Sequence, residues 1–498
     1  MKQKLLYTII ALMSAGLVSA QKPWSLQGNF TGEKSVNVIE ANSGTGGTTT
    51  GASVFLTYDL NLKSVNIPSV VQSGQQFTIS GTVKNAALAT ITSFDVQYKI
   101  GTADLQTQTF SGLNIANADS YTFSIDAMTN ETGTLPVTLT VTNLNAGQTD
   151  ENPSNNSYST TIAASNTVFP RKFVEEEGTS SGCGWCPRGI VGMAYMKETY
   201  PQRFIGISVH GNMSWADPMI QTTYLNGLSG LGLTGFPEAS YNRLIIDDPA
   251  ADYADYYYHF LDSLSIFSLS TNANYHDAAK TSIDIITSLT SGLDVSALNA
   301  NLAYVIIEND VHGTASGYNQ ANYYAGGGNG VMGGFELLPS TIPAAQMYYQ
   351  EVARGIFPSF KGANGSVPTQ LTANVSANYN YKITLPTSIL NKDNIELITL
   401  LLDKVTGEIL NAEKSEIGAP TAIATINTDN KNIYYANKTL FIQTDERIKN
   451  VEVYTVAGQK IFTVSTASAN IPMNLGTGIY VVKVQTNNGY LVRKIVVE

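Results

Sequence analysis

Charge is scarce in this 498-residue chain: Asp, Glu, Lys and Arg together make up 13% of it. Cysteine is scarcer still, with two residues, and there are four histidines. Two cysteines cannot make a distributed disulfide framework, so the fold has to rest on buried apolar cores. The histidines, His210, His259, His276 and His312, fall in separate segments, with no H-x-x-x-H pair and no Cys/His cluster at zinc spacing. That pattern argues against a metal enzyme, and no metal site is expected. Basic residues are outnumbered, 28 to 39, for a formal charge of −11, so nucleic acid and anionic lipid surfaces are repelled rather than attracted. A P-loop is missing, which leaves P-loop nucleotide chemistry without support, and no cofactor is expected.

Long apolar runs are missing too. The stretch Leu5–Val18 falls short of the roughly 20 residues a bilayer needs, and nothing comparable follows it, so no transmembrane span is expected. Lys2 and Lys4 precede that stretch and Val18-Ser19-Ala20 closes it, which is the pattern of a secretory signal over residues 1–20.

What is present is 27 Tyr, 42 Gly and much Thr, Ser and Asn, the composition of short strands joined by turns. The length suits three to four domains of roughly 100–150 residues each. Residues 21–54 are Gly, Thr and Ser rich and read as a flexible linker. Residues 55–165 carry strand-like segments at the spacing of an Ig-like β-sandwich. Their close, Asp150-Glu151-Asn152-Pro153-Ser154-Asn155-Asn156-Ser157-Tyr158, resembles the final turn of a cell-adhesion-related domain of bacterial surface proteins. In residues 166–265 strand and helix alternate, with a helix over Pro187–Tyr200, another over Asp217–Leu228 and a closing helix over Asp252–Leu264, so an α/β layer is expected. Residues 266–418 return to strands and read as a second Ig-like β-sandwich, and residues 419–430 as a linker. The predicted fold is thus multidomain and mostly β, with one α/β insert.

The final unit, residues 431–498, carries Ala457-Gly458-Gln459, Gly478-Ile479-Tyr480-Val481-Val482-Lys483 and Arg493-Lys494-Ile495-Val496-Val497. These residues resemble the type A C-terminal sorting domain of the bacterial type nine secretion system. The resemblance implies a partner in the secretion machinery, passage across an outer membrane, and secretion or attachment at its outer face.

The richest chemical constellation is Glu175-Glu176-Glu177-Gly178-Thr179-Ser180-Ser181-Gly182-Cys183-Gly184-Trp185-Cys186-Pro187-Arg188, between a predicted strand and a predicted helix. A C-x-x-C on a first helical turn places its leading sulfur beside unpaired N–H groups and the positive end of the helix dipole, which favours thiolate. Cys183 is therefore the expected attacking sulfur at the surface, and Cys186 the more buried one that resolves a mixed disulfide. Gly184 and Trp185 lie between them. Trp185 reads either as an apolar cover presented to an unfolded substrate or as a packed aromatic, and Arg188 as an aid to the thiolate or a solvated side chain.

Thr234-Gly235-Phe236-Pro237, just before the third strand of the α/β layer, is placed where thioredoxin-like proteins carry a cis proline that orients an extended substrate; an ordinary trans turn is its other reading. The segment Phe173–Gly189, the Gly235-Phe236-Pro237 turn with Tyr241-Asn242-Arg243, Tyr304–Asp310 and Gln350–Arg354 together resemble the 28-kilodalton outer-membrane-protein-related family. That resemblance covers about residues 168–417 and implies a thioredoxin-like domain followed by a β-sandwich on a surface protein. Thioredoxin-like reductases keep a buried acid six residues before the attacking cysteine, which makes Glu177 the candidate proton relay; a solvated strand end is its other reading.

Elsewhere, His210, just beyond the second strand of the α/β layer, reads as a neighbour of the cysteine site or as a capping or exposed histidine. Asp247, Asp248, Asp252 and Asp255 suit a helix start without calcium-loop spacing. The loop Gly317–Gly334, with Tyr318, Tyr323 and Tyr324 among its glycines, reads as an adaptable recognition surface or a mobile loop. Two functions follow: a surface thiol–disulfide exchange protein acting on exported proteins or peptides, or a non-enzymatic adhesion or scaffold protein whose Cys183–Cys186 disulfide is a staple.

Overall fold

A computed structural model describes residues 56–249, 263–419 and 433–497, the last without 437, 445, 456–458, 466–468 and 488–489. The expected signal over 1–20 and the linker over 21–54 lie outside the described residues. So do nearly all of the closing helix over Asp252–Leu264 and of the 419–430 linker. The described chain is mostly β, and its contacts divide it into two compact units, one running to Ala273 and resuming over Asp284–Ile417, the other formed by Asn274–Ile283 with residues from Gly418 onward.

The larger unit opens with a two-sheet sandwich. One sheet orders Leu60–Asn66, Gln76–Asn85 and Ser120–Met128, and the other orders Val70–Gln72, Ser157–Ser165, Gly133–Thr142, Ile91–Ile100 and Gln106–Ile115. Alternation does the work: Val137, Leu139 and Val141 face inward from one strand and Phe123, Ile125 and Ala127 from another, all buried. Phe94 stacks on Phe110 at 5.2 Å and meets Phe123 edge-on at 6.3 Å, and each fully buried ring of this kind contributes about 2 kcal/mol. The Asp150–Tyr158 turn latches the first strand. Asp150 accepts the Leu60 N–H at 2.8 Å, and Asn155 donates to Asp59 at 3.0 Å.

In the next segment β1 (Phe173–Thr179) runs parallel to β2 (Phe204–His210) through the helix α1 (Pro187–Thr199). After α2 (Thr222–Gly230) the chain returns as β3 (Glu238–Tyr241), antiparallel to β1, and β4 (Ile245–Asp247) pairs on β3. The order β4-β3-β1-β2 puts β1 inside the sheet. Its alternate residues reach opposite faces. Phe173 packs with Met193 and Met196 of α1, while Val174 packs with Tyr224 and Leu228 of α2.

The sheet does not stop at β2. At Ser208↔Val352, β2 pairs with a strand that follows a long insert, so the α/β strands and the strands of residues 266–418 form one eleven-stranded sheet. The continuation is β5 (Ala300–Glu308), β6 (Val352–Phe357), β7 (Ile395–Asp403) and β8 (Ile409–Gly418), in the order β2-β6-β5-β7-β8, with Phe267–Tyr275, Ser282–Ser291 and Ser376–Thr384 beyond. Sequence reading divides these strands between two domains, 166–265 and 266–418. The open edge of β2 offers unpaired backbone groups, and β6 covers it while Ile205, Ile207 and Val209 share a core with Val305, Ile307 and Leu400.

The smaller unit carries the C-terminal strands in two sheets, a three-stranded one and a four-stranded one ordered Lys460–Ser465, Ile448–Thr455, Gly478–Thr486, Tyr490–Val497. Val451, Val453, Val482 and Val484 alternate inward to form its core. Among the described residues no helix is long and apolar enough to cross a membrane.

Candidate functional site

The chain leaves the carboxyl end of β1 and turns through Ser180–Cys186 into α1. The Cys183 N–H donates to the Ser180 carbonyl at 3.1 Å and the Cys186 N–H to the Cys183 carbonyl at 3.3 Å, which winds the C-x-x-C directly onto the helix, with Pro187 in its first turn. Cys183 and Cys186 are joined as a disulfide with Cα atoms 5.3 Å apart.

Cys183, expected at the surface, is 1% exposed, and Cys186 is sealed at 0%. The reason is the insert between β5 and β6. It returns across the cysteine turn, where the Ala321 N–H donates to the Ser181 carbonyl and the Tyr323 N–H to the Gly184 carbonyl, both at 2.9 Å. Gln320 Nε2 reaches the Cys183 carbonyl at 2.9 Å. The rings of Tyr323 and Tyr324 lie edge-on to Trp185 at 5.4 and 5.5 Å. Trp185 keeps 38% of its surface exposed, so the tryptophan rather than the sulfur meets solvent.

Pro237 follows a cis Phe236–Pro237 bond at the start of β3, and Glu238 beside it pairs with Gly178, so the proline turn and the cysteine turn leave the same end of the sheet. Glu238 also holds the turn: its carboxylate accepts the Thr234 and Gly235 N–H groups at 2.6 and 3.1 Å and the Thr234 hydroxyl at 3.0 Å. Phe236 packs beside Gly178 and Gly211, where a Cβ at either glycine would press on its ring.

Glu177 is not a solvated strand end. All three glutamates of β1 are buried because the strand is covered on both faces. Glu177 lies under α1, with its carboxylate in the space a Cβ on Gly189 would take, and Oε1 has no hydrogen-bond partner. Burial pushes its pKa up to about 8. Arg188 forms an ion pair with Asp248 and lies 5.9 Å from the Trp185 ring centre.

Sequence reading missed two buried networks. On the opposite face of β1, Glu176 takes a bidentate pair from Arg243 at 2.7 and 2.8 Å and the Tyr224 hydroxyl at 2.7 Å, and the Arg243 guanidinium stacks 3.7 Å from the Phe360 ring centre. Burial and the Glu176 carboxylate push Tyr224 well above the usual phenol range. His210, at the end of β2, is buried and bonds Asp217 through Nδ1 at 2.9 Å. Asp217 also accepts the Ser181 and Met219 N–H groups, and these partners hold its carboxyl below the usual range against the opposing effect of burial. The only sequence signal for either network is the improbability of charge in a chain so poor in it. Among the described residues no group of three His, Cys, Asp or Glu side chains is placed to hold a metal ion.

Residues 436–498 match the family model of a secretion system C-terminal sorting domain. No curated protein matches at a significant level. Among solved structures, HBP35 of Porphyromonas gingivalis is similar at 18% identity, over 66% of this chain and 99% of that one, with a TM-score of 0.38. The CARDB domain of a Pyrococcus furiosus protein, solved with di-metal ions, is 18% identical over 22% of this chain and 97% of its own, at a TM-score of 0.19. A domain of the outer membrane lipoprotein Omp28 from Porphyromonas gingivalis is 10% identical over 31% of this chain and 90% of its own, at 0.18. Similarities of this strength assign neither a reaction nor a ligand. The matched tail does assign a destination: the protein is cargo of the type nine secretion machinery, exported to the cell surface or outer membrane.

Proposed function

We propose that the segment from β1 to β4 is a thioredoxin-like module, and that this exported protein exchanges disulfides with other exported proteins or peptides through Cys183 and Cys186. The observation that carries the reading is the disulfide wound onto the start of α1 with the Glu177 carboxyl buried beneath the same helix. From the oxidised state, a substrate thiolate attacks Cys183 Sγ, the bond to Cys186 breaks, and Cys186 leaves as a thiolate that takes up a proton. A second substrate thiolate then attacks the mixed disulfide and frees Cys183. The substrate loses two electrons, the pair gains them, and both are conserved as one disulfide for another. In this reading Glu177, titrating near neutrality, supplies the proton to the departing sulfur, and Pro237 with Phe236 orients the incoming chain.

The burial of Cys183 favours a second reading, in which the disulfide only staples a surface adhesion or scaffold protein. Titration of the mature protein against redox buffers separates the two. A labile pair, with Cys183→Ser abolishing exchange and the Cys183 thiolate of reduced Cys186→Ser attacking a disulfide-bonded peptide to trap a mixed disulfide as the peptide's other sulfur leaves, supports the first. A potential below about −300 mV and no trapped species establish the staple.

A further inference from the structure

The insert that buries the cysteines does so in a specific way. Residues 320–324 lie along the cysteine turn, Gln320 and Ala321 as strand and Tyr323 and Tyr324 turning away, and give the N–H groups of Ala321 and Tyr323 to the carbonyls of Ser181 and Gly184. The Tyr323 ring rests on Gly184, in the space that a Cβ there would fill. On the far side, the Gly182 turn abuts the Ser214–Trp215 backbone, and Trp215 Nε1 donates to Ser181 Oγ at 3.1 Å. The segment is anchored behind: Gln320 and Ala321 pair with Ile342 and Thr341, and Asn322 Nδ2 donates to the Phe335 carbonyl at 2.7 Å. Beyond Tyr324 the backbone turns at Gly326 and Gly327, with φ of 78° and 76°, a conformation that side chains with a Cβ resist.

We propose that Gln320–Tyr324 is an intramolecular plug, and that the exchange partner is an extended peptide which takes its seat, with N–H groups two residues apart on the Ser181 and Gly184 carbonyls and an aromatic side chain on Gly184. The proposal rests on the exchange reading above, which it deepens by naming a substrate class. Two N–H donors held by carbonyls of the cysteine turn read backbone rather than side chain, so the seat suits any unfolded segment in backbone terms. Selectivity comes from Gly184, which leaves room for a flat ring and none for a bulkier backbone approach, and from Trp185, which meets that ring edge-on. Access to Cys183 is then set by the fraction of molecules with the plug lifted, and a substrate that binds the seat shifts that fraction toward itself.

The test is the rate at which dithiothreitol reduces the disulfide of the full mature protein. Tyr323→Ala removes the ring and Gly184→Ala pushes it out from beneath; each should raise the rate about tenfold. Leu337→Ala, on the same insert but 77% exposed, should leave it unchanged. Should Gly184→Ala fail to fold, Tyr323→Ala decides, since that side chain is 55% exposed. Equal rates in wild type and both variants overturn the plug. A second arm uses a reduced two-cysteine peptide with a tyrosine between its thiols: faster oxidation by the opened variants than by wild type supports both inferences. Faster dithiothreitol reduction with no peptide oxidation keeps the plug and removes the exchange reading.

Discussion

Glu177 shows how one buried side chain ties stability to pH. Its folded pKa of about 8 lies above that of a carboxyl in the unfolded chain, so between about pH 4.5 and 8 the unfolded state releases a proton that the folded state keeps. The stabilisation is complete below the unfolded value and fades as pH rises toward the folded one, by about 1.4 kcal/mol per pH unit. Glu177→Gln removes this dependence. Denaturant midpoints at pH 5 and pH 8 should therefore converge in the variant and differ in wild type, and an unchanged difference would show that another group carries it. Glu176, its neighbour, is held by Arg243, and Arg243→Met leaves the buried carboxylate without its ion-pair partner, at a cost of about 3–5 kcal/mol measurable by urea unfolding.

At the scale of elements, the first sandwich is joined to the following strands by a contact that tolerates no side chain. Ser165 Oγ, at the end of the last sandwich strand, donates to the Gly292 carbonyl at 2.7 Å, and a Cβ on Gly292 would run into the Thr167 carbonyl. Gly292→Ala must displace backbone rather than a side-chain tip. It should cost about 2 kcal/mol and speed proteolysis within residues 166–168, read by limited digestion of the folded protein; wild-type cleavage kinetics would show that the junction yields freely. Nothing in the sequence marks this glycine. Strands were legible because Val137, Leu139 and Val141 alternate with polar residues, and the C-x-x-C was legible because its spacing alone suffices for a disulfide. The burial of Glu175–Glu177 was not, because a run of carboxylates reads as solvated unless β1 is known to be covered on both faces. The Glu176–Arg243 pair spans 67 residues and forms only when β3 folds back along β1. Likewise, a glycine and tyrosine rich loop gives no local sign that the strands flanking it, β5 and β6, will carry it over the cysteines.

The whole molecule combines a destination with a buried disulfide. Its sorting tail, residues 436–498, belongs to the smaller of the two compact units, whereas Cys183 and Cys186 belong to the larger. Its two cysteines are paired to one another, so the folded chain presents no free thiol. Removing residues 436–498 should leave the protein inside the cell envelope and abolish its detection by surface labelling, while the disulfide still forms. Fusing the same residues to an unrelated exported reporter should carry that reporter to the surface. If the truncated protein still reaches the surface, its address lies elsewhere in the chain, and the division of labour between the units has to be redrawn. If the reporter stays behind, the tail is required but insufficient, and the larger unit takes part in its own sorting.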